Sequence, residues 1–213
     1  MTNLADRPNS PRGARRRRQL VDAGIALLAL EGWPGVSTRA VAERAGTNPG
    51  LIHYHFGGLA GLHEAIFRQA TDLIVGPTVA ELLGAPDERA ALEAMRRLPA
   101  RAPADEQGSR LAAELIVGAM RDPALGAVLR DELRQARTQI ADRLAALHPD
   151  WPRGRLTGAA TLITAAIDGV MLHYMIDDAL PVGDALSAVG DLLEHRPKGP
   201  RDLPSRPPDL GKE

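Results

Sequence analysis

Three side chains able to hydrogen-bond outward stand together at His53, Tyr54 and His55. A slim run precedes them: Thr47, Asn48, Pro49 and Gly50. This set suits nucleic acid. Imidazole and phenol groups reach base edges or phosphate oxygens, and small residues let a leading end enter a groove. The histidines also suggest a metal, with His63 as a third member. Residues two apart on a helix do not share a face, so His53 and His55 do not chelate together. His173 and Asp177 are four apart and do share one, but no third ligand stands out. No Ser/His/Asp spacing marks a nucleophile, and no carboxylate pair stands out as general acid and base. The expectation is no catalytic residue, no metal and no cofactor, and a protein that is not an enzyme.

Two short helices must position these groups. Ser37 can cap the first, its hydroxyl accepting an orphan backbone N–H. Val41, Ala42 and Ala45 recur at helical spacing and give it one apolar stripe. Gly46 suits the left-handed residue that ends a helix. Asn48 is a second cap, and Pro49 sits at the first helical position, where its missing N–H costs nothing. Gly50 to His55 is the second helix, with Leu51, Ile52 and Phe56 left to pack inward. Two short helices joined by a glycine turn form the helix-turn-helix, whose second helix enters the DNA major groove.

The flanks extend the pattern. Leu28 to Trp33 reads LALEGW, Ser37 to Gly46 reads STRAVAERAG, and Ile52 to Gly57 reads IHYHFG. Over roughly residues 14 to 67 the chain resembles the DNA-binding region of the TetR (tetracycline repressor) family of bacterial regulators. The resemblance implies a three-helix DNA-binding domain followed by a variable helical domain that dimerises and binds a small effector. It places Arg39, Thr47, Asn48, Pro49, Gly50 and His53 near base edges, and Ser37, Thr38, Tyr54 and His55 near phosphates. One departure stands out. Where the family reads Ser-Lys-Glu, its lysine touching a phosphate, this chain has Gly58, Leu59 and Ala60. More of the affinity then falls to Arg15, Arg16, Arg17 and Arg18.

Charge is divided along the chain. Residues 1 to 70 hold nine arginines and five acidic residues, a balance of +4, within a net charge of −1. A basic first third on an acidic remainder suits nucleic acid at one end only. Only Lys198 and Lys212 are lysine, a preference that codon bias explains as well as phosphate binding does. Apolar residues make up 44% and aromatics 3%, so the core is aliphatic. Without cysteine, disulfides, cysteine-ligated zinc and thiol chemistry are excluded, and the chain suits the reducing cytoplasm.

The reading is all-α with about nine helices. Residues 1–13 form a disordered arm, 14–58 the DNA-binding domain, 59–194 the effector and dimerisation domain, and 195–213 a disordered tail. Arg15 to Leu30 has the outline of a secretory signal, but Asp22 interrupts it and Leu20, Ala23, Gly24, Leu27 and Leu28 space as a helix. A long helix from Leu59 is expected to break near Gly76-Pro77, and Trp33 to plug the three-helix core. Gly158 to Ile176 is near membrane-span length. Asp168 near its middle, the threonines and His173 argue against lipid.

Met120, Met171 and Tyr174 are expected to line an effector cavity, methionine being adaptable. Small and apolar residues recur at steps of three and four in Ala159, Leu162, Ala166, Gly169 and His173. Val182, Leu186, Val189 and Leu193 make a similar stripe, and together the two form the expected homodimer interface. Leu156, Ala160, Ile163, Ile167, Val170 and Tyr174 form a separate face for the chain's own domain. The function expected is a dimeric repressor on a palindromic operator in double-stranded DNA, released by a small apolar or amphipathic ligand, with no membrane partner. The alternatives are a helical enzyme domain with a regulatory DNA-binding part, and a ligand-independent architectural DNA binder.

Overall fold

Ser10 opens the first helix: its Oγ accepts the Gly13 N–H at 3.0 Å, and α1 runs Pro11–Glu31. It starts three residues before the expected point because Ser10 caps and Pro11 suits the first turn. The computed structural model describes residues 10–97, 106–177 and 179–194, the side chains of Glu106, Leu192, Leu193 and Glu194 excepted. The rest of the expected arm, residues 98–105 and the expected tail from 195 lie outside the described residues.

Nine α-helices and no strand appear among the described residues. After α1 come α2 (Thr38–Arg44), α3 (Gly50–Phe56) and α4 (Leu59–Gly84). Then follow α5 (Glu88–Arg96), α6 (Glu106–Arg121), α7 (Pro123–Leu147), α8 (Arg153–Ile176) and α9 (Val182–Glu194). The long α4 belongs to both halves, packing on α1 and α3 at its start and on α5, α6 and α7 further along. It does not break at Gly76-Pro77; Pro77 is carried inside one continuous helix.

The first core gathers Leu20 and Leu28 of α1, Val41 of α2, Ile52 of α3, and Leu62, Ile66 and Phe67 of α4, none with accessible surface. Full burial of such a side chain contributes roughly 1.5–3 kcal/mol. Gly24 lets α1 and α4 close on each other, since a Cβ there would stand 2.2 Å from Ile66 Cδ1. The same core runs into Leu111 and Leu115 of α6 and Leu125 and Val128 of α7. A second, smaller core joins Leu82, Ala94, Met95, Ile167, Val182 and Leu186.

Trp33 is half-buried and ties the two halves rather than only plugging the first. Its Nε1 donates to the Glu114 carbonyl of α6 at 2.8 Å, and its backbone N–H to Glu114 Oε2 at 3.2 Å. Its ring stacks on Phe67 and meets His63 edge-on, with centroids 6.3 and 5.0 Å apart. Gly118 admits the indole: a Cβ there would lie 2.4 Å from Nε1.

Candidate nucleic-acid interface and ligand cavity

The turn between α2 and α3 is built from backbone. Ser37 Oγ accepts from Ala40 N at 3.1 Å and starts α2. Thr47 N–H returns to Ala42 O at 2.9 Å and Gly46 N–H to Glu43 O at 3.1 Å, with Gly46 at φ +60°. These two bonds form a Schellman stop. Asn48 Oδ1 then accepts from Gly50 N at 2.8 Å and starts α3. The two helices are seven residues each, too short to hold alone, so Val41, Ala42 and Ile52 anchor them in the core.

The outer side of this pair is solvent-facing. Arg39, Asn48, Pro49, Gly50, His53 and Tyr54 are exposed, and Ser37, Thr38 and Thr47 half-exposed. Arg15 and Arg18 are exposed on α1, and Arg16 is half-exposed with Nη1 on Gln19 at 3.0 Å. Nearby, Gly58 ends the α3–α4 turn at φ +129°, and Leu59 and Ala60 are exposed.

A cavity of about 330 Å³ lies among α4, α6, α7 and α8. Its walls include Ile74, Leu115, Leu133, Met171 and Met175, with Thr71, Thr78 and Asp168 as polar members. Asp168 keeps part of its surface in solvent, yet its apolar surroundings raise its carboxyl above the ordinary value; Arg137 pulls it partly back. Among the described residues no group of three or more His, Asp or Glu could hold a metal.

The profile of "Bacterial regulatory proteins, tetR family" matches residues 20–66, the segment that builds this head. That of "BetI-type transcriptional repressor, C-terminal" matches residues 79–197, more than half of the chain. The chain belongs to the TetR family. It is a DNA-binding transcriptional regulator whose C-terminal domain is of the BetI type. It is 27% identical over 187 residues to the HTH-type transcriptional regulator BetI of Burkholderia mallei, covering 84% of this chain and 92% of the relative. A transcriptional regulator of Streptomyces coelicolor is similar in structure, with TM-score 0.69, 28% identity and coverage of 84% and 98%. So is the multidrug binding protein EbrR complexed with proflavin, with TM-score 0.61, 29% identity and coverage of 83% and 99%.

Several expected site residues of this TetR regulator stand elsewhere. His55 is buried, only 8% exposed, because the α3 face that carries Ile52 also turns it inward; it does not face phosphate. Arg17 is exposed like Arg15 and Arg18, but it also makes a contact within the head. Its Nη1 donates to the His55 carbonyl at 2.8 Å, and its guanidinium lies 4.4 Å from the Phe56 ring centroid. It holds the end of α3, a role that a run of four like residues conceals. Met120 is 82% exposed on the far side of α6 and lines no part of the cavity. Tyr174 is half-buried and also outside its walls, whereas Met171 lies in them.

The expected interface of the TetR dimer divides in the same way. Leu162, Ala166, His173 and Val189 are exposed, and Ala159 is half-buried. Val182 and Leu186 are buried in the chain's own second core and do not face a partner. Gly169 is half-buried in the cavity wall. The side chain of Leu193 lies outside the described residues. Along α8, Ala160 and Ile167 are buried and Leu156, Ile163, Val170 and Tyr174 half-buried, so the face assigned to the chain's own domain does pack inward. Sequence reasoning missed Asp168 as a cavity residue. The available signal was a lone carboxylate in a long apolar helix.

Proposed function

We propose that this regulator is a cytoplasmic repressor. It binds a palindromic operator as a homodimer and leaves when a small apolar or amphipathic ligand enters the cavity among α4, α6, α7 and α8. The observation that carries the reading is the exposed row of Arg39, Asn48, His53 and Tyr54 on two short helices and the turn between them, whose other side is inaccessible core. Surface polar groups on a rigid support can read bases without rearranging the fold. The complex of EbrR with proflavin supports a small-molecule effector. A ligand alters DNA affinity only by favouring one conformation, and Trp33 on Glu114 couples α6, which walls the cavity, to the head. No catalytic step is assigned to the helical domain.

The second copy docks on the exposed side of α8, where Leu162, Ala166, His173 and Ile176 stand in solvent. By length and apolarity α8 also qualifies as a membrane span. Its threonines do not decide between the two. Thr157, Thr161 and Thr164 satisfy their hydroxyls on carbonyls four residues back. Asp168 and the packing of α8 along α7 favour a partner helix. The test is footprinting of DNA flanking the protein's own gene. A protected palindrome with half-sites about 34–36 Å apart, or a multiple of that, is expected. Arg39→Ala should lose about 1–3 kcal/mol at one base position. Specific binding that survives removal of the His53 and Tyr54 side chains together would sink the reading.

A further inference from the structure

We propose that the cavity is entered between α4 and α7, through a gate at the Gly76-Pro77 turn of α4. This rests on reading the cavity as the effector site. A second space, a groove of about 300 Å³, runs between the same two helices. Thr71 and Val75 of α4 and Leu129 and Leu133 of α7 line both the groove and the cavity. One layer of side chains, two from each helix, therefore stands between the two spaces. If that layer parts, the groove becomes the vestibule of the cavity.

The layer is weakest on the α4 side. Pro77 has no N–H, so the Leu73 carbonyl one turn earlier lacks its helical donor, and the proline ring crowds it. That same turn carries Val75. Gly76 is not required by crowding, since a Cβ there would meet nothing within 4 Å. What it supplies is backbone freedom, beside a proline where helices kink. The only proline of α7 is Pro123 in its first turn, so the yielding side of the wall is α4. Thr71 gives a second sign. It is buried, and its Oγ1 has no hydrogen-bond partner. Thr157, Thr161 and Thr164 of α8, by contrast, each donate to the carbonyl four residues back. The closed wall thus buries an unsatisfied hydroxyl, and water that reaches it on opening relieves the cost. The turn that local sequence marks as a break stays helical, and its weakness serves entry instead.

The experiment is stopped-flow fluorescence of the full chain with N-phenyl-1-naphthylamine, an uncharged apolar probe that brightens on leaving water. The double variant Gly76→Ala, Pro77→Ala restores the missing N–H, and the methyl added at 76 meets no neighbour. Its association and dissociation rates should both fall by about ten-fold or more while Kd stays within about three-fold, as a raised barrier requires. Ala80 is exposed and lines the groove but not the cavity. Ala80→Trp should slow both rates in the same way. Met171 lines the cavity but not the groove, so Met171→Trp should instead raise Kd, by about ten-fold or more, because it fills the space the probe needs. Circular dichroism checks that each variant is folded. Unchanged rates in either the double variant or Ala80→Trp, with Met171→Trp still weakening the probe, overturn the gate and leave the cavity as the effector site. No binding by the wild type, or a Kd indifferent to Met171→Trp, overturns the cavity reading and the gate with it.

Discussion

The DNA-binding head and the helical domain behind it use the same aliphatic residues in different ways. In the head, Leu20, Leu28, Val41, Ile52, Leu62, Ile66 and Phe67 lose all accessible surface against one another. In the helical domain, Leu162 is 71% and Ile176 80% exposed on α8, and Leu172 and Val189 are exposed as well. A cavity separates α8 from α4 and α6. The head thus closes its core tightly, with help from Leu111, Leu115, Leu125 and Val128 behind it, and its outer helix-turn-helix side is mainly polar. The other domain exposes an apolar face on α8 and lines a cavity beside it, surfaces suited to a second copy and a ligand. The polar head surface suits a partner that is itself charged.

The largest effect should come from charging the unfilled face. Ala166→Arg with Val189→Arg places two cations where the second copy would dock, and a buried unpaired charge costs several kcal/mol. The expected product has wild-type helical content, scatters light as a monomer, and no longer binds a palindrome. A variant that remains a dimer on its operator breaks the proposed contrast. Next is a change that tests how tightly the head is closed. At Gly61 a Cβ would stand 2.0 Å from the Phe56 carbonyl oxygen. That neighbour is backbone and cannot turn aside, so Gly61→Ala should cost about 1–3 kcal/mol. Thermal unfolding should fall by roughly 2–4 °C per kcal/mol. An unchanged Tm would mean that the α3–α4 corner is looser than its packing indicates.

Legibility in the sequence followed the same contrast. The head was readable because its signals are local. Ser37, Gly46 and Asn48 sit where cap and stop chemistry requires them, and each makes the expected kind of bond. What failed depends on which neighbour a helix face meets. Val182 and Leu186 carry an interface-like stripe, but Met95 and Ile167 claim it first. Met120 is as apolar as Met171, yet it projects away from the bundle. Pro77 stayed inside α4 because contacts with α5, α6 and α7 hold the helix past it, and local propensity does not count these. His55 looked like its neighbours and turned inward, since spacing alone does not orient a seven-residue helix.

The four arginines sharpen the contrast within the head itself. Arg15, Arg16 and Arg18 keep their guanidinium groups toward solvent or on Gln19. Replacing these three by Ala should weaken all DNA sequences alike and flatten the salt dependence, by roughly 0.9 in slope for each lost phosphate contact. Arg17→Ala should differ in kind. It removes the bond to the His55 carbonyl and the contact with Phe56, so the head should lose about 1–3 kcal/mol of stability. Parallel salt titrations and unfolding curves separate the two. Equal salt slopes lost at Arg17 and Arg15, with no change in stability, would return Arg17 to the phosphate-binding set.

The smallest effect tests whether the partial burial of Asp168 costs the helical domain stability. Burial, the larger cause, raises the Asp168 carboxyl above its ordinary value, and Arg137 lowers it by less. The folded chain therefore holds that proton to a higher pH than the unfolded chain does. Between the two pKa values the native state binds more protons, so this group's contribution to stability falls as pH rises through the folded value. Above the folded value both states are ionised, and the folded one carries the desolvation cost. Asp168→Asn removes that cost. It should be slightly more stable than wild type at pH 7, by less than about 1 kcal/mol because solvent reaches part of the group. The difference should close as pH falls toward about 3.9, where the unfolded carboxyl also takes up its proton. Urea unfolding of both proteins at pH 7 and near pH 4 measures it. A variant less stable than wild type at pH 7 would mean that attraction to Arg137 outweighs desolvation.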